Sequence, residues 1–215
     1  MATGPHAGQP VELRGKPLGE GRAVMIMVHG RNAAPRNILD LVPALEHPRF
    51  TYLAPAARDN TWYPYSFLVA IERNEPGLSS GISVIHGLVD DAVAHGIPIE
   101  RILLLGFSQG ACLAATAAIR RASRYGGVLL LSGGLIGPPG TTWEATGGFA
   151  GTPVFLGCSD SDAHIPRERV DESAAASERM GARVTERLYP GMGHIVNDDE
   201  IAFVREVMAQ AVYEA

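Results

Sequence analysis

Cysteine is scarce in this chain, and so is any concentration of positive charge. Only Cys112 and Cys158 occur among 215 residues. One falls inside a helical stretch and the other ends a strand-like run, which excludes a disulfide-built scaffold and points to two buried thiols. Lys and Arg are dispersed and the formal net charge is −5, so neither nucleic acid nor an anionic membrane surface has an electrostatic basis as partner. Long apolar runs are missing too. The longest are strand-sized, which excludes stable membrane insertion through a spanning helix. Met1 to Pro10 carry neither the charged start nor the apolar block of a signal peptide. No repeat or low-complexity tract interrupts the chain. These absences leave a reducing, cytoplasmic setting and a small neutral partner as the expectation.

Apolar content is plentiful. At 46% hydrophobic, the chain is long enough for one sizeable core and short for two, so a single domain over 1–215 is expected. Short β-branched or apolar runs alternate with longer helical patterns, the signature of a mostly parallel sheet covered on both faces. Strands are predicted at 22–28, 50–54, 102–107, 127–132, 153–157 and 183–189, with a further edge strand at 11–14. Helices are predicted at 35–46, 78–95, 109–123, 166–180 and 198–214. Asn197 with Glu200 three residues on reads as a capping box, and Gly181 after Met180 as a helix stop. Residues 55–77 and 133–152, rich in Gly, Pro and aromatics, remain unassigned; long loops of this kind are usually functional.

The most informative stretch is Gly106-Phe107-Ser108-Gln109-Gly110, set directly after an apolar strand and before an Ala-rich helix. This is the order that a nucleophile elbow requires. Glycines flank the serine because a β-carbon at either place would collide in so sharp a turn. In an open α/β sheet the residues just after each strand face one crevice. They include His29-Gly30-Arg31-Asn32, Ser108-Gln109, Gly133-Gly134-Leu135, Ser159 to Asp162, and Gly191-Met192-Gly193-His194. A serine, a carboxylate and a histidine thus reach one sheet edge in the chain order Ser, Asp, His. Ser108 is the candidate nucleophile and His194 its base; Asp162 is assigned to orient the imidazole, with Asp160 as competitor. The backbone amides of Arg31 and Gln109 would supply the oxyanion hole.

Taken together these residues resemble the small phospholipase/carboxylesterase group of α/β-hydrolases, which includes acyl-protein thioesterases. The resemblance rests on His29-Gly30, on Gly106 to Ala111, on Asp162 followed four residues later by Pro166, on Gly191 to His194, and on Asn60-Thr61-Trp62-Tyr63-Pro64. It implies the α/β-hydrolase fold without a large cap domain, and hydrolysis of carboxylic esters or thioesters with no metal or organic cofactor. The Asp-to-Pro spacing favours Asp162 over Asp160. The chain departs from the acyl-protein thioesterases at Arg31, where an apolar residue is usual, and at Asn32-Ala33-Ala34, where a Gly-Asp pair is usual.

Trp62 and Leu135 are the candidate substrate-binding residues, one from each irregular segment. Trp143 and Phe149 could cover the crevice as a short lid, and an apolar lid loop could also carry a homodimer contact. His29 is read as holding the oxyanion loop, and His164 as a loop residue. His86 and Asp90 share a helix face but have no third ligand for a metal. The expected activity is a serine carboxylesterase acting on small to medium esters. The alternatives are a lysophospholipase or acyl thioesterase for longer chains, and a non-catalytic binding homologue.

Overall fold

The computed structural model describes residues 3–144 and 146–213. Seven strands form one sheet: β1 (Val11–Gly15), β2 (Ala23–Val28), β3 (Phe50–Pro55), β4 (Ile102–Phe107), β5 (Gly127–Leu131), β6 (Pro153–Ser159) and β7 (Arg183–Tyr189). Their spatial order is β1-β3-β2-β4-β5-β6-β7, with β1 antiparallel to β3 and every other pairing parallel. Every expected strand is present, the edge strand included.

Six α-helices cover the sheet: α1 (Pro35–Leu39), α2 (Val42–Leu45), α3 (Gly77–Ala94), α4 (Gln109–Arg120), α5 (Arg167–Arg179) and α6 (Asp198–Tyr213). The inner strands read as unbroken apolar runs because both of their faces are buried. Val24, Ile26, Leu104 and Leu130 point toward α3, α4 and α5. The alternate residues Met25, Met27, Leu105 and Leu129 pack on α1, α2 and α6. Ala-rich α4 suits its place between sheet and α3, since small side chains let backbones approach closely.

Several boundaries differ from expectation: α4 ends at Arg120 rather than 123, and β6 runs on to Ser159. The helix expected over 35–46 is two short ones, because Pro43 within α2 has no N–H to bond the Leu39 carbonyl and the first helix must end there. The expected end of the last helix, Glu214, lies outside the described residues. The segment 55–77 contains two 3₁₀ turns, Arg58–Asn60 and Ile71–Asn74. Residues 133–144 and 146–152 form no helix or strand.

The chain runs from β2 to β3 on one side and returns to β4 on the other, so the strand order reverses between β2 and β4. In such sheets the crevice for ligands opens at the carboxyl ends of those strands. The capping box of α6 forms as expected: the Asn197 N–H donates to Glu200 Oε2 at 2.9 Å and the Glu200 N–H to Asn197 Oδ1 at 2.8 Å. Glu200 is nevertheless fully buried, and its Oε1 has no hydrogen-bond partner among the described residues. The carboxylate lies against Gly157, where a β-carbon would overlap it. Burial pushes this carboxyl up to about 7, against the pull of the Asn197 amide.

Glu200 makes stability depend on pH in a definite direction. With its folded value raised above the usual 4.5, the folded state holds the proton more tightly, so the contribution is complete below pH 4.5 and is lost as pH rises through 7. The loss amounts to about 3 kcal/mol at 1.36 kcal/mol per unit. Glu200→Gln keeps the capping geometry without the charge. Thermal melts should show the wild type losing Tm between pH 5 and pH 8 while the variant loses much less; parallel curves would contradict the burial argument.

Candidate active site

Ser108 sits at φ 56°, ψ −122°, a left-handed conformation that a non-glycine residue adopts only under constraint. The constraint is visible on both sides. The Ser108 N–H donates to the Leu131 carbonyl at the end of β5, and its own carbonyl accepts from the Cys112 N–H to open α4. A β-carbon on Gly106 would overlap the Gly110 carbonyl and Ala111 nitrogen, and one on Gly110 the Val28 and His29 carbonyls. The elbow glycines are thus needed because α4 starts hard against β2.

His194 lies across from this turn. Its Nε2 is 2.8 Å from Ser108 Oγ and its Nδ1 is 2.7 Å from Asp162 Oδ2. The carboxylate fixes Nδ1 as the protonated nitrogen and leaves Nε2 to accept from the serine. The Asp162 side chain is fully buried whereas His194 is partly exposed. Burial raises the Asp162 carboxyl, but donation from His194 and from the His164 and Ile165 amides at 2.8 and 3.1 Å outweighs it and holds the carboxyl below the usual aspartate value. The Cys158 thiol adds a weak fourth contact at 3.8 Å. Asp160, the competitor, points elsewhere: its Oδ1 accepts from the Gly191 N–H at 2.9 Å and so holds the loop that carries His194.

The His29-Gly30-Arg31 turn closes the other side. His29 Nε2 accepts from the Ala57 N–H at 3.1 Å, which leaves Nδ1 as the donor to the Gly30 carbonyl at 2.8 Å. The imidazole is buried and its pKa is lowered by that burial. Among the described residues, no protein acceptor takes the N–H of Arg31 or of Gln109, and both residues line the cleft. The Gln109 side chain fastens the aromatic segment to the elbow, accepting from the Trp62 N–H at 3.0 Å and donating to the Tyr63 carbonyl at 2.8 Å.

Ser108 and His194 open into a cleft of about 790 Å³, within the range of small-molecule sites. Tyr63, Tyr65, Phe67 and Phe107 give it an aromatic wall, and Arg31, Asn32, Asn37 and His164 a polar one. Neither expected substrate-binding residue lines it. Trp62 is fully buried, with Nε1 donating to the His29 carbonyl at 2.9 Å and its ring between His6 and His29. It braces the His29-Gly30-Arg31 turn from behind, while its neighbour Tyr63 lines the cleft. Leu135 is buried in the core, its N–H donating to Ser173 Oγ and its carbonyl accepting from Arg169. Phe149 is buried as well and Trp143 packs on the core with Nε1 bonded to the Ile136 carbonyl. The described residues of this segment, 133–144 and 146–152, therefore form no lid over the cleft, and Leu135, Phe149 and Trp143 are packed on the core.

Two residues had more to do than their sequence context suggests. His164 lines the cleft with its ring 4.9 Å from that of His194, edge to face. Its proximity follows from the Asp162–Ile165 turn, in which the amides of residues 164 and 165 both close on Asp162. Cys112 also lines the cleft, one turn beyond Ser108, yet burial pushes its thiol up to about 11 and keeps it protonated. Both cysteines are free and buried. His86 bonds the Ala117 carbonyl and Asp90 pairs with Arg121 at 2.5 Å, so each has a protein partner.

A family model described as Phospholipase/Carboxylesterase matches residues 16–212. The solved phospholipase/carboxylesterase from Dyadobacter fermentans DSM 18053 superposes with a TM-score of 0.90 at 36% identity, over 97% of this chain and 100% of that one. Acyl-protein thioesterase 1 of Gibberella zeae is 33% identical over 142 residues, 62% of this chain and 60% of that protein, so the match spans less than two thirds of that relative. Lysophospholipase-like protein 1 of Mus musculus is 25% identical over 220 residues, 94% and 92% of the two chains. With nearly its whole length matched, the chain belongs to the phospholipase/carboxylesterase family, hydrolases of the α/β-hydrolase fold.

Proposed function

We propose that the protein is a serine carboxylesterase for small to medium esters, working through an acyl-enzyme on Ser108. The observation that carries this reading is the unbroken hydrogen-bonded chain from Asp162 through His194 to Ser108, opening into a mixed aromatic and polar cleft. A free serine hydroxyl is a weak nucleophile near neutral pH and must lose its proton as it attacks. His194 Nε2 takes that proton, and Asp162 stabilises the imidazolium that results. The amides of Arg31 and Gln109 receive the developing oxyanion, each such donor being worth about 3 to 4 kcal/mol of barrier. His194 then protonates the departing alcohol. It next activates a water that frees the acid and restores Ser108.

Cleft shape supports the preference for shorter esters. A long acyl chain calls for an enclosed aliphatic channel, whereas Arg31, Asn32, Tyr65 and His164 here are solvent-exposed along the cleft. The thioesterase names among the relatives favour a second reading, hydrolysis of longer acyl thioesters by the same machinery.

A series of 4-nitrophenyl esters from acetate to palmitate, with matched acyl thioesters, separates the two. The proposal expects kcat/KM to peak at or below about eight acyl carbons and to fall beyond; a steady rise to palmitate, or a clear preference for thioesters, favours the second reading. Ser108→Ala should reduce kcat by about 10⁶-fold, as removal of the nucleophile does in serine hydrolases. Asp162→Asn should cost about 10⁴-fold by reversing the tautomer of His194, while Asp160→Asn should cost less than about tenfold because Asp160 only holds the loop. Equal losses for the two aspartates would contradict the assignment.

A further inference from the structure

We infer that the cleft selects esters bearing a free carboxylate away from the scissile bond, recognised by the Arg31 guanidinium and the His164 imidazole. This rests on the esterase reading above and specifies its substrate. The starting point is a mismatch of charge. The chain as a whole carries −5, yet among the described residues no Asp or Glu lines the cleft, while Arg31 and three histidines do. Two of those histidines are committed: His29 bonds Gly30 and Ala57, and His194 bonds Ser108 and Asp162. Arg31 and His164 remain.

Arg31 is exposed and donates Nη1–H to the Pro64 carbonyl at 2.9 Å and Nη2–H to the Tyr65 carbonyl at 2.7 Å. Both partners are neutral. Among the described residues no carboxylate lies within 4.0 Å of it. Three of the five guanidinium N–H groups are left over, held in place by the two carbonyls and by the Tyr63 ring at 5.7 Å. A fixed, uncompensated guanidinium in a cleft is a carboxylate receptor, since its planar fork matches the two oxygens of an acid.

His164 is exposed, and its backbone N–H is pinned to Asp162. Neither ring nitrogen has a hydrogen-bond partner among the described residues, although the ring is fixed beside His194. It therefore presents a donor to the cleft. Asp162, two residues before His164, is fully buried and already accepts from His194, His164 and Ile165. The negative charge of the remaining surface is screened beyond about 8 Å at physiological ionic strength, so the local balance governs what binds.

Ethyl hydrogen adipate and ethyl hexanoate test this directly, because they differ by a carboxylate in place of a terminal methyl. Ethanol release at pH 7 and about 0.15 M ionic strength, where the distant surface charge is screened, should give a kcat/KM about tenfold higher for the adipate, equal to about 1.4 kcal/mol. The ratio should fall toward one in 0.5 M NaCl. Arg31→Gln and His164→Gln should each lower the ratio several-fold, while Arg31→Lys, which keeps the charge but loses the planar fork, should retain only part of it. A ratio at or below one that ignores salt, with ethyl hexanoate still hydrolysed, overturns the carboxylate preference and leaves the esterase standing. A variant that slows both esters equally assigns Arg31 to clamping the 64–65 backbone and also overturns it. Hydrolysis of neither ester by folded protein removes the esterase reading and this inference with it.

Discussion

Gly110 lies so close to the end of β2 that a single added carbon would overlap the Val28 and His29 carbonyls. That approach forces α4 to begin in the angle between β2 and β4, where the strand order reverses. The chain must turn sharply to enter the helix there, and Ser108 absorbs the turn at φ 56°. A conformation of this kind costs on the order of 1–3 kcal/mol. It is held by backbone hydrogen bonds on both sides of the residue and by the packing of Ala-rich α4. The same contact sets the His29-Gly30-Arg31 turn against the elbow, since Gly30 abuts Phe107 and Ser108. Ser108, the unbonded amides of Arg31 and Gln109, and the aromatic segment fastened by Gln109 therefore share one geometric origin. Enlarging Gly110 would disturb all of them at once.

Around this edge two buried carboxyls are shifted in opposite directions. Asp162 has three hydrogen-bond donors from nitrogen and stays ionised; Glu200 has one amide donor and a bare oxygen, and burial raises it to about 7. The difference comes from the number of donors each environment supplies. Asp162 thus keeps its charge behind His194. In front of His194, on the cleft side, only positive and neutral groups face the solvent.

Much of this was legible in the sequence because it depends on local pattern. Apolar runs bounded by Gly and Pro mark the strands, and the residues that end those strands must meet at one edge. Ser108, Asp162 and His194 are three such residues, and they stand in one hydrogen-bonded chain. What the sequence did not disclose depends on how irregular backbone folds. Trp62 and Tyr63 are adjacent aromatics in a segment without periodicity, so nothing in their order says that the first braces a loop and the second faces the cleft. Leu135 follows a strand that ends at the same edge, yet the hydroxyl of Ser173 and the guanidinium of Arg169 draw its backbone into the core. The break at Pro43 was legible in retrospect, from its missing N–H. Net charge is silent on the cleft: a chain total of −5 says nothing about a cleft whose described lining residues include no acid.

The central claim is that His194, through its bond to Ser108, turns a strained turn serine into a nucleophile. Reaction with a fluorophosphonate probe, followed by intact mass and peptide mapping, measures that activation without assuming any substrate. The account predicts rapid, single-site labelling on Ser108 in the wild type and a loss of labelling in a folded His194→Ala variant. Labelling at another residue, or unchanged labelling of Ser108 without His194, would contradict it.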